Sequence, residues 1–300
     1  MTETRTDAPD ILCIGGALWD ILGDSPAPLA PGEDRPGRIL RRPGGVALNL
    51  ALALAAQGSR PALLSAVGTD AAGEELVALC GRAGVATGWL YRPGDMPTDQ
   101  YLAIEAGGAL VAAIADARTL EAAGARILSP LADGRLGSAT APWRGPIVLD
   151  GNLAEPLLAQ IAGSALFAAA DLRIVPASLG KAGRLAPLVR HPHATLYLNI
   201  AEAAALSGRP AAGAADAAAA LVERGARRVL VTDGARPCAD AAEDGLLIRL
   251  PPPVPVARVT GAGDRFAAAH LAAELKGLPR EAALEAALAA AAAHVAGDAA

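Results

Sequence analysis

Val259-Thr260-Gly261-Ala262-Gly263-Asp264 joins a proline-rich extended run, Leu250 to Val256, to a segment from Arg265 through Leu275 dominated by alanine and leucine. A glycine-rich turn therefore feeds directly into the first turn of a helix, with a carboxylate at the junction. The start of a helix carries N–H groups without partners and the positive end of the macrodipole. Glycines reach φ values that other residues resist, and they leave no Cβ in the path of an approaching anion. Such a place suits a phosphate, or the charge that builds up as a phosphoryl group moves. Asp264 beside it could take a proton from an attacking hydroxyl. A plain glycine turn with an acid near a helix start would show the same residues, so the company this turn keeps decides between the two.

Upstream of it, short apolar runs end in polar residues. Ile147-Val148-Leu149 ends in Asp150, Leu172 to Val175 in Pro176, Thr195 to Leu198 in Asn199, and Arg228 to Val231 in Thr232-Asp233-Gly234. Strands alternating with helical segments predict a parallel sheet with helices on both faces. Nearer the N-terminus, Ile11 to Ile14 leaves through Gly15-Gly16 towards Asp20, Pro61 to Val67 reads as a strand and Gly73 to Gly81 as a helix. Ligands of open α/β sheets gather at the carboxyl ends of the strands, the edge where Asp20, Asp150, Asn199 and Thr232 fall.

Two further features lie along this series. Arg42-Pro43-Gly44-Gly45-Val46-Ala47-Leu48-Asn49 runs into the helix-forming Leu50 to Ala56, so a glycine pair again opens a helix. Asn49 sits one turn inside, a poor place for an asparagine unless its amide has a task; a capping turn with a solvent-facing Asn is the plainer alternative. Glu202 follows Asn199 by three residues and could, with it, order water and Mg²⁺ around a polyphosphate, although a helix cap with an acidic first turn fits equally. Gln100 to Glu105 and Leu110 to Ile114 read as two strand-like runs joined by Ala106-Gly107-Gly108-Ala109, which predicts a β-hairpin and a candidate flap.

Composition removes other classes. The formal charge of −5 and pI near 5.4 give no basic surface for nucleic acid or an anionic membrane. Cys13, Cys80 and Cys238 form neither a disulfide framework nor a metal pattern and fit a reducing compartment. With a polar N-terminus and no apolar stretch convincing as a membrane span, the expected location is the cytoplasm. No Walker-type Gly-x-x-x-x-Gly-Lys-Ser/Thr occurs, Gly15-Gly16 lacks dinucleotide-binding spacing, and His191, His193, His270 and His294 lack zinc-ligand spacing.

Pro43-Gly44-Gly45 with Asn49, and Val259 to Asp264 with Phe266, resemble the N- and C-terminal signatures of the ribokinase-like (PfkB) carbohydrate kinases. Asn199-x-x-Glu202 and Thr232-x-Gly234 fall between them in the expected order, so the resemblance spans essentially the whole chain. Within that family the chain also resembles the pseudouridine kinases, through Gly37-Arg38-Ile39, Leu64 to Gly68, Tyr101-Leu102 with Leu110 to Ala112, and Val259-Thr260-Gly261.

The resemblance implies one α/β ribokinase-like domain over residues 1–300, a mostly parallel sheet with helices on both faces and a small β lid from about 17–42 and 98–115. It implies Asp264 as the base for a primary hydroxyl and the N–H groups of Gly261, Ala262 and Gly263 as the anion hole. Asp20, Gly44, Gly45 and Asn49 would bind sugar hydroxyls, and Lys181 would touch the substrate. Asn199 and Glu202 would organise phosphate, water and Mg²⁺, with Glu202 towards the metal, while Thr232 and Gly234 would lie against ATP. The implied cofactors are ATP and Mg²⁺, with K⁺ a further candidate, and a homodimer paired through its lids is compatible with the family. Pseudouridine is the expected acceptor. Ribose, a fructose-type sugar or another nucleoside is the alternative, and a sugar- or nucleotide-binding protein without turnover is the alternative of another class. The chain departs from the pattern at Leu18, where relatives carry Asn, at Ala269, at Arg265 beside the base, and in lacking a second glycine after Gly234. It also stops at Ala300, where relatives often continue with residues near the adenine and a monovalent-cation site.

Overall fold

The computed structural model describes residues 8–107 and 109–297. The strands are β1 (Ile11–Ile14), β2 (Leu18–Ser25), β3 (Arg38–Gly44), β4 (Pro61–Leu64), β5 (Gln100–Ala106), β6 (Ala109–Asp116), β7 (Pro146–Asp150), β8 (Asp171–Val175), β9 (Ala194–Asn199), β10 (Arg228–Asp233), β11 (Arg236–Ala242) and β12 (Gly245–Arg249). The α-helices are α1 (Val46–Ala56), α2 (Ala71–Arg82), α3 (Arg118–Ala123), α4 (Ser129–Ala132), α5 (Glu155–Ala162), α6 (Ile200–Ser207), α7 (Ala214–Glu223), α8 (Ala262–Leu275) and α9 (Arg280–Ala296). Shorter 3₁₀ turns run over Gly124–Leu128 and Leu179–Leu188.

Eight strands form one sheet in the order β12-β11-β10-β9-β8-β7-β1-β4. From β10 to β4 every neighbour is parallel, as the alternation of strands and helices predicts. A parallel strand covered on both faces must be apolar on both. Accordingly Leu12 and Ile14 enter one core with α5, α6, α7 and residues 118–132, while Ile11 and Cys13 enter another with α1, α2, α8 and α9. The antiparallel pair β11–β12, which extends the sheet beyond β10, is not anticipated by the sequence. Its strands are short, and much of β12 faces solvent.

A second sheet, in the order β3-β2-β5-β6, comprises the segments expected to form a lid. Its central strand β2 interrupts its apolar residues with Asp20, Gly23 and Asp24, so the pattern alone does not announce a strand. Ladders on both sides, to β3 and β5, supply the missing support.

Helix α8 starts directly after the glycine turn at Gly261. It is buried continuously from Phe266 to Ala273, and its alanines allow close packing against α1 and α9. At its far end Glu274 pairs with Arg173 and Arg228, and Asp240 pairs with Arg228 and Arg280. Fully buried His270 lies 2.9 Å from the Tyr197 hydroxyl and 3.3 Å from an Arg228 guanidinium nitrogen. Burial, helped by the arginines, pushes its pKa down to about 4, so the ring is a neutral anchor at physiological pH.

Candidate active site

Asn49 Nδ2 donates to Asp264 Oδ2 at 2.9 Å, joining two side chains 215 positions apart. Both glycine-opened helices, α1 and α8, thus point their N-termini at one place, and the task of an asparagine inside α1 is to hold the carboxylate of α8. Asp264 is partly exposed, and burial of the rest pushes its pKa up to about 7. The Asn49 bond opposes that rise, while the negative charges of Asp150, Asp20 and Glu202 add to it. A carboxyl group with a pKa near 7 is poised to accept a proton at neutral pH.

The glycine pair before α1 is required by contact. A Cβ on Gly44 would lie 2.3 Å from Asp20 Oδ1. One on Gly45, whose φ is +93°, would lie 2.3 Å from the Gly16 carbonyl oxygen. Asp20 stands opposite Arg42 in the β2–β3 ladder, with Arg42 Nε 3.6 Å from Oδ2. Burial raises the Asp20 pKa while Arg42 opposes the rise. Arg42 is the neighbour of Asp20 that sequence reasoning left unassigned; only the antiparallel register brings the two together.

Fully buried Asp150 holds this corner from beneath. Its carboxylate accepts from Gly16 N and Ala47 N, both at 2.9 Å, from Asn152 N at 2.9 Å and from Asn152 Nδ2 at 3.1 Å. Burial raises its pKa and these donors counter it. The sequence places Asp150 at the correct sheet edge but gives no hint that it ties the first loop to the start of α1. Lys181 reaches the same corner, donating to Asn152 Oδ1 at 2.7 Å. Burial first, and Arg184 second, lower its pKa.

Asn199 and Glu202 form a reciprocal capping box: Glu202 N donates to Asn199 Oδ1, and Asn199 N to Glu202 Oε2, both at 2.9 Å. Glu202 nonetheless lies close enough to Asp264 to raise its pKa, and burial raises its own. Thr232 stands beside Asn199 in the β9–β10 register. Gly234, at φ +60°, makes the tight turn into β11, where Asp233 pairs with Arg236 at 2.6 Å.

The turn before α8 differs from the sequence reading at one residue. Ala262 N–H donates to the Val259 carbonyl at 3.1 Å, and Gly261 has φ +89° and ψ −3°. This is a type II turn over 259–262, in which the fourth N–H closes the turn. The N–H groups that carry no hydrogen bond among the described residues are those of Gly261, Gly263 and Asp264. Arg265 forms no ion pair with Asp264 among the described residues.

Among the described residues no group of three or more His, Cys, Asp or Glu side chains could hold a metal ion. No helix among them is long and apolar enough to cross a membrane.

Residues 8–298 match the pfkB family carbohydrate kinase pattern. Pseudouridine kinase of Escherichia coli (strain K12) is 30% identical over 276 residues, covering 90% of this chain and 85% of that protein. Among solved structures, a carbohydrate kinase from Agrobacterium tumefaciens superposes with a TM-score of 0.78 at 30% identity, covering 95% of this chain and 90% of its own. Arabidopsis thaliana ribokinase complexed with ribose and ATP shares the fold at a TM-score of 0.80 and 21% identity, covering 96% and 93% of the two chains. With both glycine-opened helices meeting at Asp264 and the match running the length of the fold, the chain belongs to the pfkB family of carbohydrate kinases, phosphotransferases with an alcohol group as acceptor.

Proposed function

We propose that this kinase moves the γ-phosphoryl group of ATP to the primary, 5′-type hydroxyl of a nucleoside, and that the nucleoside is pseudouridine. The Asn49–Asp264 bond carries the reading of the site, because it sets the carboxylate of Asp264 at the mouth of both helix N-termini. Asp264 takes the hydroxyl proton, and the open N–H groups of Gly261, Gly263 and Asp264 receive the charge of the transferring group. Asp20, Gly44, Gly45 and Asn49 hold the sugar, with Lys181 at its edge. Thr232 and Gly234 lie along the ATP lane.

Mg²⁺ fits the residues present. It keeps several waters and binds through one or two carboxylates plus substrate phosphates, and Glu202 has one carboxylate oxygen outside the capping box. The ion, when bound with ATP, neutralises phosphate charge; Asn199 and Glu202 would hold its water shell. A K⁺ ion is not part of this reading. The Thr260 carbonyl at the catalytic turn already accepts from His294, and Arg258 and Arg265 bring positive charge beside it.

The small sheet serves as a lid that excludes water from the transfer. Register places Ile39, Leu102, Ile104 and Ile114 on one face, all exposed, and this favours a homodimer paired through its lids. The buried free thiols of Cys13, Cys80 and Cys238 favour a cytoplasmic location.

Support for pseudouridine comes from the E. coli relative and from the lid segments that resemble pseudouridine kinases. Pseudouridine carries a ring N–H that uridine lacks, and a site built to bind such a group rejects the analogue without it. Over a panel of nucleosides, ribose and hexoses, kcat/KM for pseudouridine should exceed that for uridine by at least about tenfold, or ~1.4 kcal/mol. Equal efficiencies, or a preference for ribose or a hexose, would reject the acceptor and leave the kinase.

The sugar-site assignment has its own check. Asp20→Ala removes a charged hydrogen-bond partner of a hydroxyl, at about 1.5–3 kcal/mol, so acceptor use should weaken by about tenfold to a hundredfold while KM for ATP stays put. A shift in ATP affinity with none in acceptor affinity would place Asp20 elsewhere.

A further inference from the structure

The turn ahead of α8 is gripped from outside by the last turn of α9. His294 Nε2 lies 2.9 Å from the Thr260 carbonyl oxygen. A carbonyl only accepts, so Nε2 carries the proton. The ring sits directly against the glycine: a Cβ on Gly261 would lie 3.2 Å from Nε2. The preceding irregular segment is strapped to the same place. Ala257 N and Arg258 N donate to the Val295 carbonyl at 2.9 and 3.2 Å, and Arg258 Nε donates to the His294 carbonyl at 3.0 Å.

Thr260–Gly261 is the central peptide of the 259–262 turn. Type I and type II turns differ in the orientation of that one peptide, and type I is the commoner. In a trans peptide the C=O and N–H point in opposite directions. With its carbonyl fixed on α9, the peptide must aim Gly261 N–H away from α9, where it meets no protein partner among the described residues. A flipped peptide would present a carbonyl dipole to the arriving phosphate instead. A carbonyl that accepts a hydrogen bond also polarises the N–H of its own peptide.

We propose that His294 is a positioning residue: its Nε2–H latches the Thr260–Gly261 peptide so that Gly261 N–H faces the transferring phosphoryl group. This rests on the anion-binding role given above to the turn. Burial lowers the His294 pKa, the Thr260 hydrogen bond opposes this, and nearby Arg258, Arg265 and Arg42 add to the lowering, so the ring is a neutral donor at physiological pH.

The test compares His294→Leu, which fills the space without donating, with His294→Gln, whose amide can donate. Turnover is measured with ATP and whichever acceptor of the panel reacts fastest. Losing one anion-hole donor costs about 10²–10³-fold in kcat; misaiming one should cost on the order of tenfold to a hundredfold. His294→Leu should show that loss in kcat with both KM values nearly unchanged, and His294→Gln should recover most of it. An unchanged kcat in His294→Leu, or an equal loss in both variants, overturns the latch. With ¹⁵N-glycine labelling, the Gly261 amide resonance reads the peptide without turnover. It should move in His294→Leu and return in His294→Gln, and no movement likewise overturns the proposal. Asp264→Asn is assayed alongside: if it keeps its turnover, the active-site reading fails, and the glycine resonance still decides the latch.

Discussion

Asp264→Asn should lower kcat by roughly 10²–10⁴-fold, the range for loss of a general base. The substitution removes the proton acceptor but keeps an oxygen that can receive the Asn49 amide, so the geometry of the two helix starts survives. ATP affinity, read by equilibrium titration, should stay close to that of the parent. The same residue sets the acid limb of the pH profile. Its pKa is raised to about 7, chiefly by burial, and a base works only unprotonated. As pH falls through about 7 the proton returns, and kcat/KM should drop by about tenfold for each further unit. In Asp264→Asn that limb should vanish with the bulk of the activity. A variant that keeps most of its turnover, or a parent whose profile is flat from pH 8 to about pH 5, would remove Asp264 from the chemistry.

Asp150→Ala should destabilise the protein by at least about 3 kcal/mol, because each buried donor left without an acceptor costs about 1–3 kcal/mol. Gly16 N, Ala47 N and both donors of Asn152 lose their partner at once, in a place with no solvent access. The damage should reach the proposed acceptor site, since Ala47 lies in the first turn of α1 and Lys181 rests on Asn152. Asp150→Asn keeps one acceptor oxygen and the volume, so it should lose less. Chemical denaturation with the m-value monitored separates a stability change from a change in unfolding behaviour. A shift below about 1 kcal/mol for Asp150→Ala would mean that water can replace the carboxylate.

The sequence by itself determined the alternation of strands and helices and the two glycine turns with Asp264 and Asn49, whereas Asp20, expected at the edge of the main sheet, lies within β2 of the smaller one. The alternation and the turns are legible because they are local. A buried parallel strand must be apolar on both faces, and a turn at positive φ that an anion approaches admits little but glycine. Even β2 and β12 escaped such reading, since one is polar-interrupted and the other largely exposed, and their pairing comes from neighbours rather than from their own pattern. The tertiary structure alone decided which distant groups meet. Asn49 finds Asp264 across 215 residues, Gly16 finds Asp150 across 134, and Arg42 faces Asp20 only through the β2–β3 register. It also decided which N–H groups of the glycine turn before α8 remain open: Ala262 closes the turn on Val259, and His294 sets the peptide before it. The reason is physical. A hydrogen bond between residues far apart in the chain leaves no period or spacing in the sequence; it exists only once the packing of α1, α8 and α9 has brought donor and acceptor within reach.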